Sequence, residues 1–156
     1  MGFLSGLLKK FGPTQVDDPF FGRITYMKMP RGRIFYWEAK RNFLPTKTEI
    51  EVFVDAPAPE QAPNETEQQF FAAVCERYDE LMASVESVLR PRFEEWTRQA
   101  MTKPFREEFT LTSFSIPCSA LETAEWEMSF ESATDLNHLF SVSFIGCAAN
   151  SVSIDG

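Results

Sequence analysis

The sequence predicts an α+β domain: an antiparallel sheet of six or seven strands with one long helix packed on one face. The segment from Asn64 to Met101 has apolar residues at every third or fourth position, the period of an amphipathic helix. The segments before and after it alternate apolar and polar residues, as half-buried strands do. The 156 residues are 44 % hydrophobic and include sixteen Phe, which suits one domain with a substantial core.

The N-terminus, residues 1–12, predicts a short amphipathic helix ahead of a single α+β domain over residues 18–156. Phe and Leu share one side of this helix, and Lys9 and Lys10 lie beside it. Such a helix docks on its own domain, on a second copy or on a membrane surface. We favour docking on protein, with membrane contact as the alternative, and expect Thr14 to Asp18 to be a linker.

Three strands are predicted before the helix, at Phe20 to Met29, Arg33 to Phe43 and Glu49 to Asp55. Each contains alternating apolar positions, and Pro30 to Gly32 has the composition of a tight turn. Short connections make neighbouring strands antiparallel, so we expect a three-stranded meander. The proline-rich segment at residues 56–63 then serves as a spacer.

The long helix has a clear start and an internal breaker. Asn64 is a good N-cap, and Glu67 three positions later completes a capping-box pattern. Pro91 removes a backbone donor and disfavours helical geometry at Arg90, so we expect a kink or a new helix there. The pair Lys103-Pro104 is expected to end the helix.

The last third of the chain predicts three or four further strands. They lie at Phe109 to Ile116, Glu125 to Glu131 and His138 to Gly146, with a short edge strand at Ser151 to Ile154. The sequence order is therefore a three-stranded meander, a helix, and a second group of strands.

Charge is distributed unevenly and points to a basic partner. The formal net charge is −8, with nine Lys or Arg against four acids in residues 1–50 and six against nineteen in the rest. We therefore do not expect the domain as a whole to bind nucleic acid non-specifically through its phosphates, because such binding relies on a dominant basic surface. Acidic residues recur on one side of two predicted strands, and we expect a negative plate if those strands are neighbours; the alternative is an ordinary solvated face. The candidate partner-binding residues are Glu49, Glu51, Glu125, Glu127 and Glu131.

The sequence offers little catalytic chemistry. The sole histidine, His138, starts a strand near Asp135 and Glu131, a set that could bind a metal or act as an acid/base pair. A second histidine, a nucleophile motif and a phosphate-binding loop are all missing from the sequence, so we expect no catalytic residue, metal or cofactor. The cysteines lack CxxC spacing and suit a reduced, cytoplasmic setting. They are Cys75, Cys118 and Cys147.

The order of several short motifs resembles small bacterial domains of unknown function, some of them similar to immunity proteins of polymorphic toxin systems. The motifs are Phe21-Gly22, Trp37-Glu38, Ser115-Ile116, His138 at the start of a strand, and Ile154 to Gly156. The resemblance implies a cytoplasmic bacterial α+β protein and assigns no catalytic residue.

Three functional hypotheses follow. The leading one is a non-enzymatic protein-binding module, such as a toxin immunity protein, that binds a basic protein through its acidic face. The second is a small enzyme with an acid/base site near His138. The third is a membrane-surface or oligomer-assembly component that uses residues 1–12.

Overall fold

The computed structural model describes residues 14–28 and 35–156, which form one eight-stranded sheet. The strands lie side by side in chain order, and each is antiparallel to the next except that β4 and β5 are parallel. They are β1 (Gln15–Asp18), β2 (Gly22–Lys28), β3 (Phe35–Phe43), β4 (Thr48–Asp55), β5 (Phe109–Ile116), β6 (Glu125–Ser132), β7 (Leu139–Ile145) and β8 (Ala148–Asp155).

The helices fall mainly between β4 and β5. They are α1 (Glu65–Glu76), α2 (Tyr78–Thr97) and the single turn α3 (Phe105–Glu108), and a 3₁₀ turn (Leu121–Thr123) follows β5. This helical connection carries the chain back to the starting end of β4, which allows β5 to pair in parallel. Within the described ranges, every helix is too short or too polar to span a bilayer.

One face of the sheet, here called the covered face, packs against α1 and α2 and contains the core. Aromatic rings make the contact between the two layers: Phe70 lies 5.2 Å from Trp126, Phe71 lies 5.8 Å from Phe114, and Phe93 lies 5.5 Å from Phe140, centroid to centroid. Strand alternation brings the apolar side chains of β3 to β7 to this same side. These side chains are almost completely removed from water, so burial of apolar area holds the layers together.

The predicted fold is wrong in strand number, strand direction and helix length. The sheet has eight strands rather than six or seven, and it is mixed rather than antiparallel. The extra strand is β1, in the segment expected to be a linker. It pairs with β2 through its backbone, and its sequence, QVDD, shows little of the alternation that reveals a strand.

The single long helix predicted over Asn64 to Met101 does not form. It is divided at Arg77, which has non-helical angles of φ −99° and ψ 16°, and α2 ends at Thr97 with Arg98 in left-handed geometry. Pro91, where a kink or a new helix was expected, lies inside α2. The predicted start is confirmed: the Asn64 side chain accepts from the Thr66 backbone N–H (2.8 Å), and the Asn64 N–H donates to Glu67 (2.9 Å).

An irregularity in β5 changes which of its residues are buried. The pairing with β6 shifts between Leu111 and Ser113, so Thr112 is an extra residue. The bulge places Phe109 and Leu111 on the same side as Phe114, where strict alternation assigns them to opposite sides. Two expectations, the helix at residues 1–12 and the turn at Pro30 to Gly32, fall outside the described residues.

Candidate functional site

The opposite side of the sheet, here called the uncovered face, carries mainly polar side chains, with a few apolar ones such as Phe53 and Ile145, and none of the described helices. Cross-strand pairing aligns Lys40, Glu51 and then a row of four serines on successive strands. We call these four the serine row: Ser113, Ser129, Ser141 and Ser153. They lie one position away, along their strands, from core residues of the covered face.

All five glutamates singled out in the sequence lie on the uncovered face and are exposed. Glu49 and Glu51 belong to β4, and the other three belong to β6. The two strands are not neighbours, because β5 lies between them and separates the groups by two strand spacings, about 9.5 Å. The plate is therefore two acidic stripes on either side of a strand bearing serine and threonine.

The uncovered face is acidic even without Asp55, whose carboxylate at the end of β4 interacts with the buried Glu67. Without Asp55, strand alternation assigns the described part of this face eight carboxylates and two cations, Arg23 and Lys40. Arg23 forms an ion pair with Asp17 (3.2 Å), and Lys40 lies across from Glu51. The eight carboxylates are Asp17, Glu38, Glu49, Glu51, Glu125, Glu127, Glu131 and Asp155.

Three of the four serines in the row, Ser113, Ser129 and Ser141, lie low between the longer side chains of this face, whereas Ser153 on the edge strand is exposed. Ser113 and Ser129 are 8 % exposed and Ser141 is 4 % exposed, although no described helix covers them. The hydroxyls of Ser129 and Ser141 are 3.0 Å apart and hydrogen-bond to each other. The face therefore has a shallow trough with hydroxyls at its base and carboxylates along its sides.

Glu127 is the carboxylate most affected by this environment. Burial raises its pKa, the nearby Asp155 carboxylate raises it further, and a hydrogen bond with Ser141 partly opposes both effects. Among the described residues, the charged group that acts on Glu127 is thus another carboxylate and not a compensating cation. A Lys or Arg side chain from a partner would supply that cation and relieve the repulsion from Asp155.

A shallow cavity of about 360 Å³ lies on the β2 to β4 part of the same face. Arg23, Glu38, Lys40 and Glu51 contribute its charged walls, and Thr25 contributes a hydroxyl. Charges of both signs line it, so it lacks the uniform negative character of the β6 to β8 part.

His138 does contact Asp135, but the arrangement links parts of the fold. Both carboxylate oxygens lie 2.8 Å from His138 Nδ1, and one also accepts from Trp96 Nε1 (3.0 Å) on α2. The His138 hydrogen bond, with that from Trp96, holds the pKa of Asp135 below its usual range. Glu131 points to the uncovered face instead, and backbone atoms at Gly156 pack against the imidazole. The group thus ties the β6–β7 loop to α2.

A buried carboxylate shapes the same loop. Glu108 is 2 % exposed and accepts from the hydroxyls of Ser132 (2.6 Å) and Thr134 (2.8 Å) and from the Thr134 backbone N–H (3.0 Å). Burial alone would raise its pKa, but these hydrogen bonds outweigh burial and lower it. Glu108 therefore stays ionised and fixes the loop that carries Asp135.

The environment of Cys118 does not activate its thiol. Cys118 Sγ donates to the Asp55 carbonyl (3.3 Å), and burial together with the adjacent Glu67 raises the thiol pKa to about 12. A thiol with this pKa remains protonated and is a poor nucleophile. Across residues 14–28 and 35–156, His, Cys, Asp and Glu side chains nowhere form a group of three suited to a metal ion.

Sequence reasoning missed the serine row, Asp155 and Trp96. The serines do carry a signal, because they recur with period two in β5, β7 and β8, but the pattern was interpreted only as strand alternation. Comparisons of the chain with family models, with curated proteins and with solved structures found no match.

Proposed function

We propose that this protein is a non-enzymatic binding protein whose uncovered face takes a basic protein partner. The observation that carries the proposal is the charge of that face: its described strands bear eight carboxylates besides Asp55 against two cations, while the described helices and the core occupy the other side. Such a field accelerates encounter with a cationic partner and favours one orientation.

The chemistry of the β6 to β8 part favours long cationic side chains. Ser129 and Ser141 are low enough for Lys or Arg side chains to reach between the carboxylates of Glu127, Glu131 and Asp155. Those carboxylates accept charge-assisted hydrogen bonds, and serine hydroxyls accept further ones from the same donors. The resemblance to immunity proteins suggests that the partner is a basic toxin encoded beside this protein.

The test begins with a partner captured from the source organism, produced separately and measured by calorimetry at low and high salt. The test variant is Glu125→Lys, Glu127→Lys, Glu131→Lys. The control is Glu60→Lys, Glu76→Lys, Glu107→Lys, which changes the net charge equally at exposed positions outside the uncovered face.

We expect the test variant to weaken binding at least about tenfold and to reduce its salt dependence, because the carboxylates that meet the partner are reversed. The control variant should change affinity less than about threefold. Equal losses in both variants would show that only net charge matters and would contradict a specific face. Unchanged binding by the test variant would also contradict a specific binding face.

A further inference from the structure

The two edges of the sheet differ in length and charge. β1 has four residues and includes Asp17 and Asp18, whereas β8 has eight residues and only one charge, Asp155. Within residues 14–28 and 35–156, no strand pairs with the outer side of either. Proteins usually protect long edges with proline, lysine or other charges, and β8 from Ala148 to Ile154 has none of these.

The first part of β8 is already occupied by the helix layer. The Ala149 backbone N–H donates to Ser84 Oγ on α2 (2.8 Å), and the register with β7 shifts so that Asn150 is an extra residue. Regular pairing with β7 resumes at Ser151 and continues to Asp155. The open edge is thus the five-residue segment Ser151 to Asp155.

We propose that β8 of one chain pairs antiparallel with β8 of a second copy, with the two-fold axis at Ser153. In a continuous antiparallel sheet, residues directly opposite each other point to the same face. A two-fold axis perpendicular to the sheet must therefore lie between one residue and its own symmetry copy, and cannot lie midway between two successive residues of the strand. An axis at Ser153 pairs Ser151 with Asp155 of the second copy and Val152 with Ile154 of the second copy.

This register is self-complementary in chemistry. The half-buried Val152 and Ile154 pack against the core on the covered face. Across the interface, Val152 of each copy would lie opposite Ile154 of the other. On the uncovered face, the Ser151 hydroxyl can donate to the opposed Asp155 carboxylate. An axis at Val152 would instead oppose Ile154 with Asn150, the extra residue, and would leave Asp155 opposite the occupied Ala149.

Charge repulsion does not prevent this pairing. With the axis at Ser153, the two Asp155 residues are four positions apart along the strand direction and one strand apart sideways, about 14 Å. That separation exceeds the Debye length of about 8 Å at physiological ionic strength. A neutral edge suits a second copy of this acidic chain better than it suits a basic partner. Pairing would also join the serine rows of both copies through Ser153.

Two lysine substitutions on the same strand test the register. Ser153→Lys places like charges directly opposite each other on the axis, whereas Ser151→Lys places each new cation opposite Asp155 of the other copy. Both residues are exposed on the uncovered face, and both variants add one positive charge. Circular dichroism would confirm that each remains folded, and sedimentation equilibrium over a concentration series would give the dimer dissociation constant.

The wild type is expected to dimerise reversibly, and the dissociation constant of Ser153→Lys should exceed that of Ser151→Lys by about tenfold. Amide exchange at Ser151 to Asp155 should slow as the wild-type concentration rises. A wild type that is monomeric up to about 1 mM would overturn the proposal. Equal dissociation constants for the two variants would also overturn it, because a different surface would then form the dimer.

Discussion

The covered and uncovered faces belong to the same strands yet differ in almost every property. Phe114, Trp126 and Phe140 are at most 4 % exposed on the covered face, whereas adjacent positions on the other face bear serine and glutamate. Strand alternation, adjusted by the bulge at Thr112, produces this division. The comparison teaches that stability and recognition can be altered separately in this molecule, by substitutions only one residue apart.

The largest expected effect is on the covered side. Leu81 on α2 is fully buried, so Leu81→Ala should lower the free energy of unfolding by about 2 to 5 kcal/mol through lost burial and the cavity left behind. Urea denaturation measures it, with the exposed Ser87→Ala on the same helix as a control expected to change stability by less than about 0.5 kcal/mol. A loss below about 1 kcal/mol for Leu81→Ala would mean that α2 does not pack on the sheet.

The next largest effect concerns the buried carboxylate below the β6–β7 loop. Glu108→Gln places an amide N–H₂ among the donors from Ser132 and Thr134, so we expect a loss of about 1 to 3 kcal/mol. Equilibrium unfolding measures the loss, and the neighbouring, exposed Glu107→Gln provides the control. Similar stabilities for the two variants would show that the Glu108 network contributes little.

The dependence of stability on acid pH should reveal the carboxylates whose pKa values are lowered in the folded protein. The folded pKa of Glu108 is lowered, so its stabilisation is present above the unfolded pKa, about 4.3, and is lost as pH falls through the folded pKa. The folded pKa of Asp135 is also lowered, so its ionised form likewise contributes stability that is lost in acid. Unfolding measured from about pH 6 to pH 3 should therefore show a steep loss in the wild type and a shallower one in Glu108→Gln. Parallel profiles would contradict this assignment.

The smallest expected effect is a gain in stability rather than a loss, and it concerns Glu127. The folded pKa of Glu127 is raised, so ionisation of this group destabilises the fold as pH rises above its unfolded pKa. Glu127→Gln should therefore increase stability slightly at pH 7, by no more than about 0.5 kcal/mol because solvent screens the site. Thermal melts at pH 7 and pH 4 would show whether the gain disappears in acid; a decrease at pH 7 would contradict the account.

Local patterns in the sequence identified most elements of the sheet but not how they join. Alternation located β2 to β8 because each contains a run with large apolar residues at every second position. It missed β1, whose Gln15 and Asp17 give no apolar signal, and the bulge at Thr112, which follows from pairing with β6. The parallel β4–β5 pair depends on the path of the helical connection, and the break at Arg77 also lacks a glycine or proline to mark it.

The candidate site was predictable in composition and not in arrangement. Alternation predicts which side of each strand carries the five glutamates. Only the topology shows that β5 lies between their two strands. Trp96 and Asp135 are 39 residues apart, and their hydrogen bond depends on how α2 crosses the sheet. The serine row likewise requires the register of four strands.

The most direct test of the separation between the two faces combines two measurements on one variant, Glu125→Lys, Glu127→Lys, Glu131→Lys. We expect this variant to have a free energy of unfolding within about 1.5 kcal/mol of the wild type, since exposed substitutions change it by about 0.5 kcal/mol each. We also expect at least about tenfold weaker binding of the purified partner. A variant that unfolds, or one that is stable and binds as the wild type does, would contradict the claim.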